Sequence, residues 1–478
     1  MKPISNAFFR QTLILLIVAV SGMIVFAHSA LWTNDPAAQH IDSQVYIHTA
    51  SSILQGMVLY RDVFDHKGPV MYLLECAGLL LTPEKLWGIW FMQCLLFTIG
   101  IFVLIVQWVK KYGWLTAITA LIMLSAWLFR TKTIGDNLPE SFAPGLVALF
   151  LATAFQLMEQ QTPTRLQSAV CGLVVISLFL IKANFIILIL PCGCWLLVHL
   201  QVKKKLIYFL VYALIGASLI LIPLLFYFLK QSALRDAIFA IWTINFSYMR
   251  QQSLGIMQSI RAVFFSPANY LLIFILLTSL IKICITKLRD ARLLIALCSV
   301  ILSMIVLIGL PGRGAESTHY AMPLAPLLAW LLCETSAAFR PWQKAMLLMT
   351  ILFFYKPVVI HLFTKHELVK RADQTLTFLR QHRKTGETLS VWGNRSSLYQ
   401  QSGMNCNTGW FYTYPLMQEC ESSLNQNFSK AFNRHPADWI VYQQRAGQTF
   451  CFDSLLADYT LVADFETERI YQLKKTTE

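Results

Sequence analysis

The sequence predicts an α-helical polytopic membrane protein with a small α/β domain at its C-terminal end. Three observations predict it. Of 478 residues, 56% are Ala, Val, Ile, Leu, Met, Phe, Trp, Tyr or Cys and only 13% are charged, about half the charged share of a soluble globular chain. The mean hydropathy is +0.56. Apolar runs long enough to cross a hydrocarbon core recur up to about residue 364, and the remainder is polar with strand-like patterning. This excludes a multidomain soluble protein, a disordered chain, a collagen and a disulfide scaffold.

A crossing helix needs roughly 20 apolar residues. About eleven segments qualify, near 12–30, 86–109, 114–130, 140–158, 167–182, 184–201, 206–229, 268–286, 291–310, 320–338 and 344–362. The first reads as an uncleaved span, since no small-residue cleavage site follows it. The segment 69–82 is shorter and fits a re-entrant or interfacial helix. Lys182 and Asn184 interrupt the apolar stretch 167–201 and divide it in two.

The net charge of +14 follows from 39 Lys and Arg against 25 Asp and Glu. Cytoplasmic loops collect such residues. Lys2, Arg10, Lys110-Lys111, Lys203-Lys204-Lys205, Lys287, Arg289, Arg292, Arg340 and Lys344 fall on one side of the eleven spans, which is the cytoplasmic side by that rule. Residues 31–68, 131–139, 230–267, 311–319 and the tail then face outward. No basic stretch is interleaved with aromatics in a polar setting, so nucleic acid is not an expected partner.

From about residue 365 the chain reads as an extracytoplasmic α/β domain, 365–478, following a membrane module, 1–364, whose first outer loop is 31–84. Strands are expected at Thr388–Trp392, 438–442 and 459–463, with a helix near 396–402. Most of the 11 cysteines sit in apolar runs and read as small buried hydrophobes. Of Cys406, Cys420 and Cys451 in the tail, one pair could form a disulfide if the tail faces an oxidising space.

Ionisable residues beside membrane spans are functional candidates, and the outward loops hold them. In the first loop, 41–54 is expected to be an amphipathic interfacial helix with Ile47, Ala50, Ile53 and Leu54 on its apolar face and Gly56 ending it. Asp42 at its start suits the helix dipole, and capping alone would also explain it. Lys67 precedes Gly68-Pro69 and also fits a snorkelling lysine. His40, His48 and His66 match no tight zinc spacing. In the second loop, Asp136 and Glu140 flank Pro139 at a helix start. Arg313 lies in the Gly-rich turn Pro311-Gly312-Arg313-Gly314, where a planar fork suits phosphate oxygens, with His319 and Tyr320 after it. Lys182 interrupts an apolar stretch and costs free energy unless it reaches water or an anion.

Together these segments resemble the outer loops of the polytopic GT-C glycosyltransferases. Asp42-Ser43-Gln44-Val45-Tyr46 and Tyr60-Arg61-Asp62-Val63-Phe64-Asp65-His66-Lys67-Gly68-Pro69 look like the first loop of the family 39-related group, which includes protein mannosyltransferases and lipid A aminoarabinose transferases. Gly135-Asp136-Asn137-Leu138-Pro139-Glu140, Lys182-Ala183-Asn184, Gly312-Arg313 with His319-Tyr320, and Val391-Trp392-Gly393 are similar to later stretches, in order. Where many members carry two adjacent acids, this chain has Asp42-Ser43, and the tail is of a bacterial style.

The resemblance implies transfer of a hexosyl or pentosyl unit from a polyprenyl-phosphate donor to a glycan, lipid or protein acceptor, with inversion. It would occur on the outer face of a bacterial cytoplasmic membrane. It implies Asp42 as general base, Lys67, Arg313, His319 and Lys182 at the donor phosphate, and Asp136 and Glu140 at the acceptor or a divalent ion. Tyr46, Tyr60 and Tyr320 are the expected substrate contacts. Asp42 and Asp136 are candidate ligands for Mg²⁺ or Mn²⁺, which oxygen donors suit, although the family is not uniform in needing one. The alternatives are a flippase or transporter, or a ligase, of polyprenyl-linked saccharides. A transporter commonly shows internal repeats and midplane charges; here the ionisable residues concentrate in the outward loops and no repeat is seen.

Overall fold

The computed structural model describes residues 6–27, 29–33, 41–83, 85–131, 137–160, 162–247, 270–286, 290–309, 314–363, 373–413, 422–443 and 453–474. The chain divides into two compact units. One comprises Met1–Trp32, Leu86–Phe226 and Ser253–Lys365; the other comprises Thr33–Lys85, Tyr227–Gln252 and His366–Glu478.

The first unit is a helical bundle. Each segment expected to span is helical where described: Asn6–Phe26, Trp87–Tyr112, Trp114–Thr131, Pro139–Glu159, Arg165–Ile181, Ile186–Val202, Leu206–Lys230, Tyr270–Thr286, Ala291–Met304, Ala325–Ser336 and Pro341–Phe363. Five helices among the described residues are long and apolar enough to cross a membrane. Two of the others are shortened for local reasons. Ala291–Met304 passes into a wider π turn, Ile305–Gly309. Ala325–Ser336 is entered through a tight 3-10 run, Gly314–Leu324, because Pro323 and Pro326 cannot donate to an α-helical ladder.

Helix ends follow their local sequence. Pro139 occupies the first turn of its helix. Thr164 and Gln167 form a capping box. Lys110 and Lys111 fall in the last turn of Trp87–Tyr112, where cations meet the negative end of the dipole. The centre of the bundle is the contact between Trp87–Tyr112 and Pro139–Glu159. It depends on glycine: a Cβ on Gly100 would lie 1.8 Å from the Gly145 carbonyl oxygen, and one on Gly145 would lie 2.2 Å from that of Leu96. Small residues let membrane helices approach to backbone contact.

The second unit joins the first outer loop to the tail. Its sheet runs β2 (Asn405–Cys406), β1 (Thr388–Trp392), β3 (Trp439–Gln443), β5 (Glu468–Leu473), β4 (Tyr459–Asp464). The first three strands are parallel and β3–β5–β4 antiparallel. Trp392, Phe428, Phe432, Ile440 and Tyr459 form the core on one face. The strand β5 and the Ser422–Arg434 helix are additions to the expected elements. Cys406 is a free thiol, and Cys420 and Cys451 lie outside the described residues.

The loop helix has the expected bounds, Ile41–Leu54, and Gly56 follows it with φ +95°. It is not an amphipathic interfacial helix. Ser43, Gln44, Val45, Tyr46, Ile47, Thr49 and Ala50 are all buried, while Leu54 is exposed. Tail residues cover its polar side: the Ser396 hydroxyl donates to Gln44 Oε1 at 3.2 Å, and His48 stacks on Phe411 at 5.1 Å.

Candidate functional site

In the second unit the candidate residues Tyr60 and Lys67 lie between the Ile41–Leu54 and Pro69–Leu81 helices. The chain turns sharply there, and Tyr60 takes φ +69°, a strained conformation for a bulky residue. Hydrogen bonds that hold the turn include Tyr60 N–H to the Val63 carbonyl at 2.8 Å, Asp62 N–H to the Val58 carbonyl at 2.8 Å, Val58 N–H to Asp62 Oδ2 at 2.9 Å, and Tyr60 hydroxyl to the Lys67 carbonyl at 2.6 Å. Arg61 binds Asp62 and the Gln231 carbonyl. Tyr60, expected at a substrate, is buried and spends its hydroxyl on fixing the backbone of Lys67.

That backbone carries a chain of charge. Asp65 is 1% exposed, and its carboxylate accepts from the His66 N–H at 2.7 Å, the Tyr412 hydroxyl at 3.0 Å and the Tyr72 hydroxyl. Its other neighbour is His66 Nδ1, at 3.0 Å. The far nitrogen, Nε2, lies 2.6 Å from Lys67 Nζ. An ammonium only donates, so Nε2 accepts and the proton sits on Nδ1, facing Asp65 and Tyr412. The relay therefore reads carboxylate, neutral imidazole, ammonium. Asn245 donates to the His66 carbonyl at 2.8 Å and closes it from behind.

Burial works against an ionised Asp65, but the hydrogen bond from His66, the Lys67 ammonium and the Tyr72 hydroxyl hold its pKa well below the ordinary range. His66 is pushed down by burial and then by the Lys67 charge, against the opposing pull of Asp65. Asp42 falls in the first turn of its helix and within electrostatic reach of His66. Tyr46, on the same helix, is buried with its ring 6.4 Å from that of Tyr72.

The tail is seated on this loop. Phe64 stacks on Trp410 at 4.3 Å, and the Phe64 N–H donates to the Gly409 carbonyl at 3.2 Å. Gly409 has φ +71°, and a Cβ there would lie 2.2 Å from the Asp62 carbonyl oxygen. Burial lowers the pKa of His48 to about 4, against a hydrogen bond to the Ser396 backbone. The free imidazole titrates near 6.5, so the unfolded chain binds the proton more tightly. Stability is therefore expected to be flat above about pH 6.5 and to fall from there to about pH 4. His66 adds loss of the same sign, so the comparison is between wild type and His48→Gln. Thermal midpoints across pH 4–8 should show a shallower acid loss in the variant, and parallel curves would refute it.

The first unit holds a second cluster. Glu140, 2% exposed, opens the Pro139–Glu159 helix and pairs with Lys182 Nζ at 2.5 Å. Lys182 is the extended residue between the Arg165–Ile181 helix and the Ala183–Phe185 turn, which frees its side chain to reach across. Its ammonium also lies 4.4 Å from the Tyr320 ring centroid. His319 is buried, 4.3 Å from Tyr320, and within electrostatic reach of Glu140. Beside them Gln93 donates to Asn137 Oδ1 at 3.0 Å. The structure thus gathers Glu140, Lys182, His319 and Tyr320. It shows Lys182 bound to a carboxylate, because a buried acid needs a counter-charge.

Asp136, Arg313 and His40 lie outside the described residues. Among the described residues no three His, Cys, Asp or Glu side chains gather where a metal ion could be held. Sequence reasoning missed Asp65, Tyr72, Tyr412 and Asn245 as the groups that hold His66 against the lysine. Only Asp65 had a local signal, its place two residues before Lys67.

No protein-family model and no curated protein sequence matches the chain. Solved structures do. ArnT from Cupriavidus metallidurans, in a crystal structure bound to undecaprenyl phosphate, superposes with a TM-score of 0.60 at 14% identity, over 96% of this chain and 98% of that one. ArnT in the apo state gives 0.60 at 12% identity, over 98% of each chain. The Archaeoglobus fulgidus oligosaccharyltransferase, crystallised with Zn and sulfate, gives 0.51 at 13% identity, over 90% of this chain and 68% of that one. The chain has the fold that ArnT and the archaeal oligosaccharyltransferase share, the polytopic GT-C architecture with a C-terminal domain that its loop motifs led us to expect.

Proposed function

We propose that the chain is a membrane glycosyltransferase that moves a sugar from a polyprenyl-phosphate donor to an acceptor on the outer face of a bacterial cytoplasmic membrane. The observation that carries this is the likeness, over nearly the full length of both chains, to a protein crystallised with undecaprenyl phosphate. The Lys67 relay supports it. A lipid-linked donor presents its phosphate at the membrane surface, and a preorganised ammonium stabilises charge developing there.

In this reading Asp42 takes a proton from the acceptor nucleophile, which attacks the anomeric carbon from the face opposite the phosphate. The bond from that carbon to the phosphate oxygen breaks with inversion, and the electron pair leaves on the polyprenyl phosphate. Lys67 stabilises that leaving group, while Asp65 and His66 hold Lys67 in place. Lys182, His319 and Arg313 add hydrogen bonds to the donor, and Glu140 and Asp136 orient the acceptor. The transferred unit is a hexosyl or pentosyl group, and the acceptor a glycan, lipid or protein.

The test is a transfer assay with purified protein in nanodiscs, radiolabelled polyprenyl-phosphate sugars and membrane extract as acceptor. Label transfer that Asp42→Asn lowers at least about 10²-fold is expected for a general base. Transfer that survives in this variant removes Asp42 as the base. No transfer with any donor, together with movement of lipid-linked saccharide across proteoliposomes, overturns the reading in favour of a transporter.

A further inference from the structure

The membrane bundle has a feature that the transfer reaction does not use. A cavity of about 520 Å³ opens where the Trp87–Tyr112 and Pro139–Glu159 helices end and the Arg165–Ile181 and Ala291–Met304 helices begin. That volume is within the range of small-molecule sites, about 300–1,000 Å³. Lys110, Lys111 and Arg292 line it with one acid, Glu159, and with Trp108 and Gln156 among the other lining groups; Lys111 also meets Glu334 at 3.3 Å, which leaves Lys110 and Arg292 as the main cations for a ligand. We propose that this cavity binds the phosphate headgroup of an anionic membrane lipid.

Charge is the first argument. Arg292 Nη2 is 3.2 Å from Glu159 Oε1, but Glu159 is 53% exposed and can swing into water. A phosphate would then take the guanidinium fork, whose geometry it matches. The second argument is an unmet donor. Trp108 is 1% exposed, and its indole N–H has no acceptor among the described residues. Buried donors of native proteins are nearly always paired, and a headgroup oxygen or a water carried with it would pair this one. Depth is the third. A helix of 26 residues is roughly 39 Å long, against about 30 Å of hydrocarbon, so Lys110 and Lys111 project to headgroup level. Basic pockets between helices at that level hold lipid phosphates. Leu166, next to the lining residue Gln167, is 74% exposed and offers apolar surface to an acyl chain.

The experiment titrates the full chain in detergent with phosphatidylglycerol, with phosphatidylcholine and with inorganic phosphate. It reads the thermal midpoint and the lipid retained in native mass spectra. Phosphatidylglycerol is expected to raise the midpoint and be retained, with phosphatidylcholine and inorganic phosphate inactive over the same range. Arg292→Gln is expected to raise the half-saturating phosphatidylglycerol concentration about tenfold. Glu159→Gln, which frees the guanidinium, should lower it about threefold. This gain in binding cannot come from misfolding. Equal responses to the two lipids, or half-saturation unmoved in both variants, would overturn the proposal. Inorganic phosphate matching phosphatidylglycerol would overturn the lipid as the ligand.

Discussion

Lys67→Ala is expected to lower transfer about 10²- to 10³-fold, the usual cost of removing one preorganised group that stabilises developing charge. The loss should fall on kcat more than on KM, because the phosphate gains charge as the sugar leaves. Lys67→Arg is expected not to rescue it. The ammonium is a compact donor fitted against an imidazole nitrogen at 2.6 Å, and a planar fork does not occupy that position. The relay makes a further demand. Asp65 raises the affinity of His66 for a proton, while burial and Lys67 lower it. As pH falls, His66 protonates, loses its acceptor and repels Lys67, so transfer should show an acid limb. Removing the Asp65 charge takes away the larger stabiliser of the imidazolium, ahead of Asp42. In Asp65→Asn the limb should therefore move to lower pH, with a smaller loss of transfer at neutral pH than in Lys67→Ala. An unmoved limb in Asp65→Asn would show that the aspartate serves only the fold.

Most of the bundle was legible because burial in lipid requires apolar length, and length is visible in one sequence. The strand Thr388–Trp392 and the helix Ile41–Leu54 were placed to the residue by similar means. The helix's surroundings were not. Its mixed composition matches an interfacial helix, and nothing local reveals that the tail packs on its polar side. The Ser422–Arg434 helix carries a readable signal, Leu424, Phe428 and Phe432 at four-residue spacing, all buried. Strand β5 alternates as well, with Ile470 buried. Of the site, the loop lysine and the interrupting lysine stand out because charge beside a membrane is costly. Their partners do not stand out. Tyr412 reaches Asp65 across 347 residues of sequence, and Glu140 meets Lys182 across 42. Periodicity carries no information about such pairs; the folded chain makes them.

The Glu140–Lys182 pair should separate stability from chemistry. Both groups are removed from water, with side-chain exposures of 2% and 19%, so their desolvation is repaid only while they are together. Lys182→Met takes the paired ammonium from a buried carboxylate, and Glu140→Leu takes the carboxylate from an ammonium that keeps its contacts with the Tyr320 and Phe185 rings. Each single variant is expected to lose about 3–5 kcal/mol. The double variant removes both charges and should recover most of that loss, since an apolar pair of similar volume is often neutral or better. Thermal midpoints of the four proteins in one detergent form the cycle, with a coupling of about 3 kcal/mol expected for two contacting charges. Losses that simply add would show that the two side chains stabilise the bundle independently and would remove the pair from the account. Transfer gives the second readout. If Lys182 binds the donor phosphate and Glu140 the acceptor, the double variant folds and still fails to transfer. A double variant as active as wild type would confine this pair to the fold and leave Lys67 and Asp42 as the groups that carry the reaction.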